Sequence, residues 1–362
     1  MSHYTRFGGI LKHKKHMLIS YINTKNIYPH DRHLIDGLRE NGHTVLDINE
    51  NTPGLKKYSH LIKIVLEHKK KSDILIIGFT SPIFAIIASF FSRKIVYNAV
   101  SSQYEANVIS RDVKKYSLAA LKWWVLDIVS FHLPAKILLE SPSQIEFIHK
   151  SFFVKKEKLI KSWTGVNEKE FFFEPQYTKE KTFTVLFRGR FLAESGIDTV
   201  IKTAKILEEK GINFRIIGAG HLYREVNALM KNLAPKNIEM INETLPIETL
   251  REKMLQCHIS LGQMADHPRL LRTLPCKLYE TLALGLPYLT GRNRAVLELL
   301  TENVTCACAN PGDPYDLADK ILYLKNNPET LEKIASQGFA LYKNTLTSKK
   351  LAQSVTEQLS IK

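Results

Sequence analysis

Cysteine is scarce and lopsided: Cys257, Cys276, Cys306 and Cys308 are the four in a chain of 362 residues. No Cys-x-x-Cys pair occurs and no His stands at zinc-ligand spacing, so a metal site is not expected. The four read as small buried hydrophobes in a reducing compartment. The opening residues, MSHYTRFGGILKHKKH, are basic but lack the apolar run of about 7–15 residues that a secretory leader needs. A cytoplasmic protein is therefore expected. Acid is also short: 36 Asp+Glu face 51 Lys+Arg, a formal net charge of +15. That surplus suits nucleic acid, an anionic membrane surface or a phosphorylated substrate. No helix-turn-helix, RNP or zinc pattern accompanies it, which disfavours nucleic acid.

One uncharged run is long. Residues 74–91, ILIIGFTSPIFAIIASFF, hold 18 residues without a charge, the minimum for a membrane span. Thr80-Ser81-Pro82 at the centre argues otherwise, because proline disfavours helix at the residue before it. A buried strand over 73–79 and a buried helix over 82–92 account for the same letters, since parallel strands covered on both faces are apolar throughout. With 44% apolar and 24% charged residues, the composition excludes disorder, collagen and coiled coil. At about 100–200 residues per domain, the length fits two.

From Met17, β-rich runs alternate with amphipathic ones. HMLISYI, DRHLIDGLREN and HTVLDIN open the series, with Gly42 stopping the first helix. A basic helix near 55–70, the strand and helix just described, KIVYNAV near 94–100, a helical stretch near 111–133 and AKILLES near 135–141 continue it. Residues 164–182 break in with Gly, Pro, charges and Phe171-Phe172-Phe173, the composition of a linker that packs against something. A second series follows: TFTVLFRG, helix 196–210, FRIIGAG, helix 221–233, NIEMIN, helix 246–256, HISLGQM, helix 276–284, PYLTG and an αβα run to about 325. Helical patterns at 328–344 and 347–360 close the chain. The expected architecture is α/β, with Rossmann-like domains at 1–165 and 183–345, a linker at 166–182, and a helix at 346–362 that packs back on the first domain.

Charge is unevenly split. Residues 1–175 hold 26 Lys+Arg and 16 Asp+Glu, a net +10 of the total +15. The dense parts are Lys12, Lys14 and Lys15; Lys63, Lys69, Lys70 and Lys71; and Arg111, Lys114, Lys115 and Lys122, the last beside Trp123 and Trp124. A basic helix with adjacent indoles has the composition of an interfacial anchor. A solvated basic face with Trp in the core fits the same letters.

Three stretches carry candidate chemistry. Gly218-Ala219-Gly220 ends a predicted strand and opens a helix, where backbone N–H groups and the macrodipole favour an anion. The third glycine of a dinucleotide fingerprint is missing, position 223 being Tyr, so an NAD site is weakly supported and a plain strand-to-helix turn fits as well. FRGRFLAESG (187–196) places Arg188 and Arg190 at a strand's carboxyl edge, where open α/β sheets bind ligands. Arg190 is the leading diphosphate ligand, by the bidentate fit of guanidinium to phosphate, with a surface salt bridge as the alternative. In LPCKLYETLALGLPYLTGRNRAVLELL (274–300), Lys277 and Glu280 share one face at a helix start. A carboxylate there suits the two hydroxyls of a ribose, beside a lysine that neutralises phosphate. Gly285-Leu286-Pro287 stops that helix, and residues 291–295 bring backbone N–H groups to the next one.

These stretches resemble the nucleotide-binding domain of the family 4 retaining glycosyltransferases, which have the GT-B fold of two Rossmann-like domains facing across a cleft. FRGRF...ESG, IIGAG, PCKLYETLALGLPYLTG...AVLELL and NPGDPYDLADKILYL match successive parts of that domain, and GVNEKEFFFEP resembles its inter-domain linker. The resemblance covers about 165–345 and is weaker upstream. It implies that Glu280 binds the donor ribose while Arg190 and Lys277 face the diphosphate. Arg188, Ser195, Gly218, Gly220, Arg272, Ala295 and Glu298 then surround the donor, and no metal or other cofactor is needed. Three departures mark a divergent branch: Arg272 stands where the family has the first of two paired glutamates, Ser195 where a lysine usually follows the diphosphate arginine, and Asn167 where the linker has aspartate. Arg272 and Lys277 would replace the lost positive charge.

In the first half, NAVSSQYEANVISRD (98–112) follows a predicted strand. Ser102, Tyr104, Glu105 and Arg111 stand where this fold places acceptor-side residues, with an ordinary loop contact as the alternative for Tyr104 and Glu105. His30 and His33 fit ordinary surface positions equally well, and no His follows that strand to act as a base. The implied activity is transfer of a sugar, with retention, from a nucleoside-diphosphate sugar to a saccharide or lipid-linked glycan. The setting would be cell-surface polysaccharide, lipopolysaccharide or glycolipid biosynthesis, on a cytoplasmic protein peripheral to the membrane. The alternatives are a non-hydrolysing sugar-nucleotide epimerase and a nucleotide-sugar-binding protein without turnover.

Overall fold

A computed structural model describes residues 16–24, 28–79 and 81–360; Lys12, Lys14, Lys15 and Thr80 lie outside the described residues. Two compact units emerge, Met1–Asn167 with Leu346–Lys362, and Glu168–Thr345.

In the first unit the elements run β1 (Leu18–Thr24), α1 (Pro29–Glu40), β2 (Thr44–Glu50), α2 (Lys56–Lys71), β3 (Ile74–Ile77), α3 (Pro82–Phe91), β4 (Ile95–Val100), α4 (Leu118–His132), β5 (Lys136–Leu139), α5 (Pro142–Phe152) and β6 (Leu159–Lys161). The six strands are parallel, in the order β2-β1-β3-β4-β5-β6. Every residue of β3 and β4 is buried, as helices on both faces require. The uncharged run thus divides at Pro82 into strand and helix. Among the described residues no helix is long and apolar enough to cross a membrane.

Two departures from the sequence pattern have local causes. The stretch near 111–133 is not one helix: a π-helical turn, Glu105–Ile109, precedes a loop, and α4 begins only where the Ser117 hydroxyl accepts from the Ala120 N–H at 3.1 Å. The helix α5 and the three-residue strand β6 are additions. Ser141 caps α5 by accepting from the Gln144 N–H at 2.9 Å, with Pro142 at its first position.

The second unit runs β7 (Phe183–Arg188), α6 (Ile197–Ile206), β8 (Ile212–Ile217), α7 (Tyr223–Leu233), β9 (Ile238–Ile241), α8 (Ile247–Leu255), β10 (Ile259–Leu261), α9 (Cys276–Ala283), β11 (Tyr288–Gly291), α10 (Arg294–Leu297), β12 (Ala307–Ala309), α11 (Pro314–Asn326) and α12 (Pro328–Leu341). Its strands are again parallel, in the order β12-β11-β10-β7-β8-β9. Val185, Phe187, Phe214, Ile216, Ile259 and Leu289 form the centre of its core. The three consecutive phenylalanines belong to this unit. Phe171 is buried, Phe172 stacks under the Arg251 guanidinium at 3.8 Å, and Phe173 lies 4.6 Å from the Phe339 ring over Gly285, where a side chain would collide with it.

The last helix, α13 (Ser348–Ser360), returns to the first unit, where Ala352, Val355 and Leu359 share a core with Leu34, Ile35 and Leu38 of α1. All four cysteines are free thiols.

Candidate functional site

The strand order of the second unit reverses between β7 and β10, so the loops leaving those strands diverge and open a crevice at their carboxyl ends. A cavity of about 550 Å³ lies there. The β7 loop contributes Arg188, Gly189 and Arg190, the β8 loop Gly218 and Ala219, the β9 loop residues 242–245, the β10 loop Gln263, and the start of α9 Pro275, Cys276 and Lys277. Gly218 has φ +156°, and a Cβ on it would stand 1.9 Å from the Gly189 carbonyl oxygen. Only glycine lets these two strand-end loops approach so closely.

Three cations converge on this crevice, two from the end of β7 and one from the start of α9. Lys277 is buried; its Nζ donates to the Gly262 carbonyl at 2.8 Å and lies 4.1 Å from the centre of the Phe187 ring. Burial pushes its pKa down to about 7, the neighbouring Arg188 guanidinium adds to the fall, and Glu280 opposes it. Arg188 donates to the Glu280 carboxylate and lies 5.8 Å from the Phe171 ring. Arg190 is exposed at the rim and makes no ion pair among the described residues. Together with the N-terminus of α9, these groups give the cavity a positive, partly desolvated wall suited to a multiply charged anion.

The sequence-derived residues separate into two groups. Arg188, Arg190, Gly218 and Lys277 line the cavity, and Gly220 packs in the same loop against the Phe191 backbone. Glu280 stands behind Arg188 rather than on the cavity wall. Ser195 is buried and donates to the Leu192 carbonyl at 2.6 Å, inside its own turn. Arg272 follows the short turn Pro268–Leu271 and does not line the cavity. Ala295 and Glu298 do not either: α10 packs against that same turn, Ala295 is buried, and Glu298 pairs with Arg294 at 3.5 Å. The lining residues Gln263 and Asn242 escaped sequence reasoning. Extending the strand-end rule from β7 to β10 and β9 would have found both.

In the first unit the loop after β4 is a scaffold. Ser102 donates to Asp127 Oδ2 at 2.6 Å, and the backbone N–H groups of Gln103 and Tyr104 donate to the same carboxylate at 3.1 and 2.8 Å. Glu105 is fully buried, accepting from the Gln144 amide. Tyr104 is half-buried and Arg111 exposed. Burial pushes the Asp127 pKa up to about 6 against the pull of those three hydrogen bonds. A second buried carboxylate, Asp31, accepts from the Tyr21 hydroxyl at 2.7 Å, the Asn98 amide at 2.9 Å and the Phe79 N–H at 3.0 Å, joining β1, β4 and the end of β3. Burial pushes its pKa up as well. His33 is not at the surface: it is buried, and its Nδ1 donates to the Pro29 carbonyl at 3.0 Å. The His30 ring lies 4.8 Å from that of Phe79, and burial lowers its pKa to about 3.

Residues 168–340 match the family model described as glycosyl transferases group 1. An uncharacterised glycosyltransferase of Methanocaldococcus jannaschii is 26% identical over 184 residues, 51% of this chain and 48% of that protein. The amylovoran biosynthesis glycosyltransferase AmsK of Erwinia amylovora is 22% identical over 171 residues, 46% of this chain and 42% of that protein. The chain spans about half the length of the curated relatives it matches. Among solved structures, Anabaena HepE in complex with UDP and glucose superposes with a TM-score of 0.71 at 15% identity, covering 95% of this chain and 100% of that one. Two parallel six-stranded sheets in these orders, together with that superposition, give the chain the GT-B fold of two Rossmann-like domains, and the match to the group 1 glycosyl transferases falls within its second unit.

Proposed function

We propose that the protein is a retaining, metal-independent glycosyltransferase of the family 4 type, moving a sugar from a nucleoside-diphosphate sugar to a saccharide or lipid-linked glycan at the cytoplasmic face of a membrane. The observation that carries this reading is the convergence of Arg188, Arg190 and Lys277 on a switch-point cavity in the domain that matches the group 1 family. The names of similar proteins support it: HepE is solved with UDP and glucose, and AmsK is named for amylovoran biosynthesis.

In this reading Arg190, Lys277 and the N-terminus of α9 stabilise the charge that develops on the departing diphosphate. The bond between the sugar's anomeric carbon and the diphosphate oxygen breaks as the acceptor hydroxyl bonds to that carbon on the same face. The acceptor's proton passes to the diphosphate. Glu280 meets the donor ribose when Arg188 turns from it to the phosphates.

Thermal-shift screening against UDP, GDP, CMP and their sugars tests the binding half. One nucleotide series should stabilise the protein, and Glu280→Ala should weaken that stabilisation; an unchanged shift removes the ribose assignment. Product analysis tests the chemistry. Free nucleoside diphosphate that forms only when an acceptor is present supports transfer. An isomerised donor means epimerisation, and binding without either product means a protein without turnover.

A further inference from the structure

We propose that the face formed by α3 and α4 of the first unit docks on an anionic lipid bilayer. The inference rests on the membrane-side reading of the acceptor given above. It is carried by a pattern that a solvated surface does not have.

A surface helix normally turns polar residues outward. The ten residues of α3, PIFAIIASFF, contain no charge, and the fifteen of α4 contain only Lys122 and Asp127. Asp127 points inward to Ser102. What faces outward is apolar: Leu118, Leu121 and Val125 are 86%, 53% and 46% exposed, and on α3 Phe90 is 72% and Ile83 44% exposed. Positions 118, 121 and 125 form one stripe along α4, and α3 packs directly beside it. Neither helix approaches the roughly 20 residues needed to span a bilayer, so such a face lies on a membrane rather than in it.

The rim selects the partner. Lys114 and Lys115 precede the stripe and Lys122 lies within it, all exposed. At the far end of α3, Lys69 donates to the Phe91 carbonyl at 3.3 Å and Arg93 is exposed. Of the acids beside these residues in the sequence, Asp112 is exposed and Glu67 is paired by Lys71 at 3.0 Å. Two aromatic rings sit under these cations: Tyr116, 94% exposed, below Lys115 at 5.7 Å, and Trp123 below Lys122 at 5.4 Å. An apolar stripe with aromatics and a lysine rim matches the acyl boundary and headgroups of an anionic leaflet. A second copy docked through the same face would bring like charges together, since a two-fold interface is self-complementary.

The test is flotation of the full chain with vesicles of phosphatidylcholine alone and with phosphatidylglycerol added, at low and high salt. Binding to the anionic vesicles should exceed binding to neutral ones by about tenfold or more and fall as salt rises. Leu118→Asp with Leu121→Asp, and separately Lys114→Glu with Lys115→Glu and Lys122→Glu, should each lower binding by about tenfold or more, while Lys231→Glu on α7 leaves it unchanged. All these positions are exposed, so melting temperature and nucleotide-induced thermal shift should stay at wild-type values. Equal binding to neutral and anionic vesicles, or wild-type binding by both multiple variants, overturns the proposal. So does a stable dimer in light scattering that Leu118→Asp with Leu121→Asp dissociates, which would assign the face to a second copy. Vesicle binding with no nucleotide response would sink the transferase reading and keep the face; the reverse result would sink only the face.

Discussion

The carboxyl edges of the two sheets use their charged residues in opposite ways. In the second unit, Lys277 is held at a cost, buried with its pKa drawn down to about 7, and Arg190 stands at the rim with no ion-pair partner among the described residues. In the first unit, Asp127 and Asp31 are enclosed and each accepts hydrogen bonds from three neighbouring groups. One edge keeps cationic capacity for a guest, and the other consumes its polarity in holding loops and strands in place. Polar residues beyond a strand end are therefore not by themselves a binding site; what distinguishes one is capacity left over after the protein's own groups are satisfied.

The largest effect expected to sharpen this contrast is on the first unit. Asp127→Ala leaves the Ser102 hydroxyl and two backbone N–H groups without their acceptor, and should lower stability by about 3 kcal/mol. Urea unfolding followed by tryptophan fluorescence reads this unit alone, because Trp123, Trp124 and Trp163 all belong to it. Nucleotide affinity should not change; a matching loss of affinity would break the contrast.

Next comes Lys277→Met, for which the reverse is expected: transfer slowed about 100-fold, or ~2.7 kcal/mol in the barrier, with the second unit's urea midpoint unmoved, as steady-state kinetics and urea unfolding followed by far-UV circular dichroism, which reads both units, would show. A folding defect with normal kinetics would make Lys277 a scaffold residue like Asp127.

The smallest effect is that of pH. Below about 7 the Lys277 amine is already protonated in the empty site, so diphosphate affinity is at its plateau. Above that value the ligand stabilises the protonated form and binding must take up a proton. Affinity should then fall by up to about tenfold per pH unit, until the pKa of the complex is reached. Calorimetric titrations of nucleoside diphosphate from pH 6 to 9 measure this, and a flat profile would show that Lys277 does not meet the anion.

Features set by local chemistry were legible in the sequence. Pro82 separates β3 from α3, and the run Gly189-Arg190 after an apolar strand and Lys277 at a helix start were recognisable from their places alone. Asp127 and Asp31 were not, because a lone carboxylate in a helix says nothing of which backbone N–H groups tertiary packing will bring to it. Ala295 and Glu298 came only from the resemblance, and α10, which holds Ala295 and ends just before Glu298, packs on the turn Pro268–Leu271 rather than lining the cavity. The strand β6, three residues long, is too short to carry a periodicity. The charge surplus pointed to a basic first half, and only exposure joined its lysines to the apolar stripe of α4.

The return of α13 to the first unit fixes an order of events during synthesis. Leu34, Ile35 and Leu38 leave the ribosome before any of the second unit, but Ala352, Val355 and Leu359, which complete their core, follow only after all of it. The second unit, Glu168–Thr345, is contiguous and can close as soon as it emerges. The first unit is therefore completed only after the second has been made, its α1 face uncovered until α13 emerges.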